Sequence, residues 1–141
     1  HPEPGSSYKR ALAASEPGDH FRVTAVHGDF VWPAKGPVLL VGAGIGVTPF
    51  LSQLAEHRGR DVVVVVGERA AQPYATELEA PDAKVLRLPV EEVDGDTIAR
   101  LVPDLDQRTA LVSGRPDFVD EVSRGLRRRV RRLRRDHFLG Y

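Results

Sequence analysis

Residues 38–50, VLLVGAGIGVTPF, constrain this chain more than any other stretch. Leu39, Leu40 and Val41 run straight into Gly42, Ala43, Gly44, Ile45 and Gly46, and then into Val47, Thr48 and Pro49. A buried strand, a turn almost free of side chains and a helix start therefore follow one another directly. Junctions of this kind present backbone N–H groups to a phosphate. The spacing is G-x-G-x-x-P, from Gly44, Gly46 and Pro49, where the common dinucleotide fingerprint is G-x-G-x-x-G. Proline suits the first helical position, where its missing N–H has no partner. Thr48, just before it, is expected to cap that helix. Taken alone, the junction also fits plain tight packing, or the cofactor loop of a methyltransferase.

From residue 38 onward, strand-like and helix-like stretches alternate. Strands are predicted over Val38–Val41, Val62–Val66, Lys84–Leu88 and Thr109–Ser113, with an edge strand over Val130–His137. Helices are predicted over Thr48–Arg58, Tyr74–Leu78, Asp96–Leu101 and Phe118–Arg129. Five consecutive valines at 62–66 read as a strand buried on both faces, as in a parallel sheet. The expected fold class is α/β, with a doubly wound parallel sheet over residues 37–141. Residues 1–36 read differently. They hold a Pro/Gly/Ser-rich start, a short helix over Tyr8–Ala14 capped by Ser7, and a Pro17-Gly18-Asp19 turn. Phe21, Val23 and Ala25 then alternate with polar residues, which predicts a half-buried strand over His20–His27.

Composition narrows the function more by exclusion than by assertion. The 141 residues suffice for one compact domain with a core. Net charge is zero, so nothing global favours nucleic acid or an acidic membrane. The sequence has no Cys, which removes disulfides, thiolate metal sites and an iron–sulfur cluster held by this chain. The histidines have no metal-ligand spacing, and no serine sits in a G-x-S-x-G elbow. No apolar run approaches ~20 residues, so nothing is expected to span a bilayer. The start at His1-Pro2-Glu3-Pro4 is what a fragment of a longer protein shows, and the expected location is cytoplasmic, or the cytoplasmic face of a membrane where the parent carries a transmembrane part.

Further candidate residues fall where such sheets bind ligands, at the carboxyl ends of the strands. Glu68 follows the glycine loop by about twenty residues, where an acidic group commonly bonds the adenosine ribose. A carboxylate there favours NAD(H), whereas the adjacent Arg69 favours a 2′-phosphate. Ser113, Gly114, Arg115 and Pro116 form a second strand–turn–helix junction. At the end, Phe138 and Tyr141 are either hydrophobic tethers or rings poised to stack on a planar cofactor. Arginines 124, 127, 128, 129, 131, 132, 134 and 135 look like a nucleic-acid or membrane patch, but read rather as a solvated helix end and edge strand, some of them steering an acidic partner.

With these stretches in place, the chain resembles the ferredoxin–NADP reductase superfamily of flavin oxidoreductases. Ser6-Ser7-Tyr8-Lys9-Arg10-Ala11-Leu12 and Pro17-Gly18-Asp19 resemble the helix and turn late in the family's flavin-binding β-barrel, and Gly28–Pro33 its closing G-x-F-x-x-P segment. Val41–Phe50 resembles the pyrophosphate and nicotinamide loop, Arg69 with Tyr74 and Glu77-Leu78 the adenosine side, Ser113–Pro116 the C-G-x-P loop, and Phe138–Tyr141 the terminal F-x-G-Y. The resemblance implies the remnant of an antiparallel barrel over residues 1–36 and an NAD(P)-binding domain over 37–141. It implies NAD(P)H as cofactor, FAD in the parent protein, hydride delivery to that flavin, and onward transfer to an electron-acceptor protein or domain. Thr48, Ser113 and Tyr141 take catalytic places in it. Gly42, Gly44, Ile45, Gly46, Val47, Pro49, Glu68, Arg69, Tyr74, Gly114, Arg115, Pro116, Phe138 and Ser7 take cofactor-binding places. The family's R-x-Y-[ST] flavin grip is missing from these residues, and Ser113 stands where many relatives carry Cys. The alternative is a non-catalytic nucleotide-binding or partner-binding module derived from such a reductase.

Overall fold

In a computed structural model of the chain, residues 7–22, 24, 28, 30–69, 78 and 82–138 are described. The elements in chain order are helix α1 (Ser7–Ala13), strand β1 (Val38–Ala43), helix α2 (Thr48–Glu56) and strands β2 (Val62–Glu68) and β3 (Ala83–Pro89). Helix α3 (Gly95–Leu101), strand β4 (Thr109–Gly114), helix α4 (Pro116–Leu126) and strand β5 (Arg132–His137) complete the series. The strands form one all-parallel sheet in the order β3-β2-β1-β4-β5. The order reverses between β1 and β4, which makes their carboxyl ends the switch point.

Side-chain alternation builds two cores from the same strands. Val63 and Val65, with Leu39, Val41, Ala110 and Val112, pack towards Ile98 of α3 and Val119, Val122 and Leu126 of α4. Val62, Val64 and Val66, with Val38, Leu40 and Leu111, pack towards Phe50 and Leu54 of α2 and the connector residue Trp32. Burial on both faces is why the central strands read as unbroken apolar runs. Edge strand β5 needs no such run. Its arginines stay partly solvated while Leu133 reaches the core.

The two helices on the α3–α4 side meet through glycines. A Cβ built on Gly95 would lie 2.6 Å from Cα of Gly125, so the backbones touch there. Two of the C-terminal arginines are tied down nearby or on the same helix. Arg129 donates to the Gly95 carbonyl at 2.9 Å and pairs with Asp96, and Arg135 lies 3.7 Å from Asp120. Asp94 caps α3 with its side chain, accepting from the amides of Asp96 and Thr97 at 2.9 and 2.7 Å. The bond from Thr97, foremost, holds its carboxyl below the usual value of 3.8. A depressed carboxylate adds stability above its unfolded pKa, and that stability is lost as pH falls through the folded one. Asp94→Ala is expected to cost about 1 kcal/mol at neutral pH. Its urea midpoint should also lose some of the wild-type decline below pH 4. Asp94→Asn should keep most of the cap and lose the same acid dependence.

The strand expected over His20–His27 is not formed at its described residues, His20, Phe21, Arg22 and Thr24. Alternation supplies a face but not a neighbour, and a strand without a paired edge leaves its backbone groups unsatisfied. Among the described residues before β1, α1 is the one regular element, and the antiparallel barrel remnant is not seen there. The connector is more ordered than a linker. Trp32 Nε1 donates to Gln53 Oε1 at 2.6 Å, its ring stacks on His57 at 4.6 Å, and Gln53 Nε2 donates to the Phe30 carbonyl. Of the short helix expected over Tyr74–Leu78, Leu78 alone is described, buried and in a turn.

Candidate nucleotide-binding crevice

The glycine loop stands at the switch point, and each glycine has its own reason. Gly42, one residue before the end of β1, lies beneath α2, where a Cβ would lie 2.7 Å from the Phe50 ring. Gly44 turns the chain with φ +55°, a region that glycine enters without steric cost. Gly46 is pressed against the neighbouring junction. A Cβ there would lie 2.3 Å from the carbonyl oxygen of Ser113 and 2.6 Å from Cα of Gly114. The first and second strand–turn–helix junctions are thus locked backbone to backbone. Of the three glycines, Gly44 borders open space, while Gly42 and Gly46 are glycine because protein packs directly against them.

Residues Gly44–Val47 form a 3-10 turn that runs straight into α2. Thr48 is therefore the first helical residue, at φ −59° and ψ −38°, and Pro49 the second. An N-cap needs extended backbone, so Thr48 does not cap the helix as the sequence suggested. Its hydroxyl donates instead to the Ile45 carbonyl at 2.8 Å. Among the described residues, no side chain caps α2 and none caps α4, whose N-cap residue is Arg115 and whose first residue is Pro116. Both helices that open at the switch point start bare, whereas α3 is closed by its own Asp94. Bare helix starts with a partial positive charge are what an anion needs. Ile45 is 46% exposed on the loop, while Val47 is buried.

The other candidates occupy distinct places. Ser113 is fully buried on β4, and its hydroxyl has no hydrogen-bond partner among the described residues. Gly114 follows, with its carbonyl accepting from the Phe138 amide at 2.9 Å. Phe138, the last described residue, is thereby held beside the second junction at the end of β5. Arg115 does not reach freely into the crevice. Its guanidinium forms a two-point pair with Asp117 in the first turn of α4, which holds the Asp117 carboxyl below its usual range. Ser7 opens α1, an exposed helix. Tyr74 and Tyr141 lie outside the described residues.

On the far side of β1, the carboxyl ends of β2 and β3 border an open groove of about 580 Å³. Glu68, Arg69, Arg87, Leu88, Pro89 and Glu91 line it. The Glu68 carboxylate accepts from Arg87 Nη1 at 2.7 Å, and both side chains are a little under a third exposed. Arg87 was not legible as a site residue. It sits inside an ordinary strand segment, and only the register, Val66 opposite Arg87, carries it to the groove. Arg69 follows Glu68 and is exposed.

The fold resembles that of a ferredoxin reductase. A solved structure described as the ferredoxin reductase in carbazole 1,9a-dioxygenase, in its FAD apo form, superposes with a TM-score of 0.54 at 19% sequence identity. The likeness covers 76% of this chain and 34% of that reductase, so this chain spans about a third of its length. No family model and no curated protein matches the sequence. At this identity the likeness establishes the α/β fold with its parallel sheet. Among the described residues, no helix is long and apolar enough to cross a membrane.

Proposed function

We propose that residues 37–141 are the nicotinamide-nucleotide domain of a flavin-dependent oxidoreductase, and that residues 1–36 belong to the flavin-binding side of the parent protein. The observation that carries the reading is the contact of Gly46 with Ser113 and Gly114 at the switch point. A side chain there would drive the two junctions apart, and its absence lets two uncapped helix starts stand together as one cradle. That cradle fits a pyrophosphate, held by backbone amides of the Gly44–Val47 turn and the start of α2. When bound, the nicotinamide supplies the hydride. This chain binds and orients. Thr48 and the Ser113–Gly114 turn border the nicotinamide end, and Glu68, Arg69 and Arg87 border the adenosine end. The Phe138 segment lies against Gly114, where a planar ring would approach. Tyr8, Leu12, Phe21 and Val31 are among the exposed large hydrophobics, at 48–69%, and they suit a surface that meets another part of the parent.

The test is calorimetric titration of the chain with NADP⁺, NAD⁺ and, as the rival ligand, S-adenosylmethionine. One-to-one binding of a nicotinamide nucleotide is expected, with no heat from S-adenosylmethionine. Silence with both nucleotides overturns the proposal. Nucleotide binding by the chain, together with a parent protein that holds FAD but is not bleached by NADH or NADPH, marks the non-catalytic module instead.

A further inference from the structure

The nucleotide reading leaves the choice between NAD(H) and NADP(H) open, because Glu68 and Arg69 pull in opposite directions. The groove resolves the conflict with a residue from another strand. Glu68 closes β2 and Arg87 lies on β3 opposite Val66, two residues short of Glu68's own partner Pro89, so the two side chains meet diagonally across the strand pair. Their 2.7 Å ion pair is partly buried on both sides. A carboxylate paired in this way carries far less repulsion towards an incoming phosphate than a solitary one. Arg69 is exposed on the same groove and has no ion pair among the described residues. Glu91 lines the groove as well and is exposed to solvent, where its charge is well screened.

We propose that Arg87 sets nucleotide preference: by holding Glu68 in an ion pair it makes the groove accept a 2′-phosphate, which Arg69 then binds. The inference rests on the nucleotide-binding reading above. Arg87 is here a positioning residue that acts through Glu68, and the 2′-phosphorylated nucleotide is the ligand class.

The experiment measures NADP⁺ and NAD⁺ affinities of the full chain by calorimetry in wild type, Arg87→Gln, Glu68→Gln and the double variant. Wild type should prefer NADP⁺. Arg87→Gln leaves Glu68 as a bare charge beside the phosphate, and like-charge juxtaposition should weaken NADP⁺ by about tenfold or more with NAD⁺ changed little. The double variant removes that charge again and should regain most of the NADP⁺ affinity. A structural fault in β3 would lower both nucleotides together and would not be repaired by Glu68→Gln. Equal loss of both nucleotides, an unrepaired double variant, or a wild-type preference for NAD⁺ each overturns the role given to Arg87 while leaving nucleotide binding intact. A wild type that binds neither nucleotide removes the nucleotide reading itself, and this inference with it.

Discussion

Replacing Gly46 by alanine is expected to do more damage than any other change in the glycine loop. The new Cβ would lie 2.3 Å from the Ser113 carbonyl oxygen and 2.6 Å from Cα of Gly114. Neither obstacle is the free end of a side chain, so rotation of a side chain offers no relief. The backbones of the two junctions must separate, and β1 and β4 are paired directly beneath them. Overpacking of this kind costs about 2–3 kcal/mol. For a domain of this size that corresponds to a fall of roughly 10 °C in Tm. The same separation moves the amides of the 3-10 turn, so nucleotide binding should be lost as well. Gly44→Ala is the internal comparison. Its Cβ would meet nothing within 4 Å, but its φ of +55° strains a non-glycine residue. The cost there is about 1 kcal/mol, from backbone strain alone. Thermal melts that place Gly44→Ala below Gly46→Ala in stability would refute the close-approach account.

Arg108→Ala should match or exceed that loss of stability through a different route. Arg108 precedes β4 at the amino ends of the strands, opposite the crevice, and is 5% exposed. Its guanidinium donates to Asp104 at 2.9 and 2.8 Å, to Asp61 at 3.0 and 3.2 Å, and to the Val38 carbonyl at 3.1 Å. One side chain thus ties the starts of β1 and β2 to the approach of β4. Removing it leaves a buried carbonyl without that donor and two carboxylates without their counter-charge. Breaking a buried pair costs 3–5 kcal/mol, and the solvent exposure of Asp61 places the expectation near the lower end, at about 3 kcal/mol. The bond from Arg108, foremost, also holds the Asp104 carboxyl below its usual 3.8. That depressed pKa stabilises the fold above pH 4 and ceases to do so as pH falls further. The variant should therefore be less stable at neutral pH and show a shallower acid decline. Nucleotide affinity of the folded fraction should stay unchanged, because the network lies at the other end of the sheet. Urea melts at pH 7 and pH 3 check the first two expectations, and calorimetry checks the third. Lysine at 108 is no substitute, since a single ammonium cannot serve three acceptors in a fixed fork.

Arg108 also shows where sequence reading stops. In the chain it is one arginine between Gln107 and Thr109, with nothing to separate it from the cluster at 124–135. Its partners lie 4, 47 and 70 residues away. Glu68 was legible by its distance from the glycine loop, but its partner Arg87 was not. Thr48 failed for a local reason of the same kind. A threonine before proline is a sound cap when its own backbone is extended, and here a 3-10 turn brings it into the helix. At the described residues of His20–His27 no strand forms, because period-two alternation is only half of what a strand requires.

The sequence by itself determined the α/β class, the places of the five strands and the glycine junction. Each of these depends on one segment burying its own apolar face, or on a turn that only glycine allows, and both are written in consecutive residues. Tertiary structure alone decided the strand order β3-β2-β1-β4-β5, the seating of Gly46 on Ser113 and Gly114, and the choice of partners by Glu68 and Arg108. A charged side chain finds its counter-ion through space, and parallel strands meet only after a helix has crossed over. The chemistry of the crevice is therefore set by neighbours distant in the chain, while the fold that assembles it is set by neighbours close at hand.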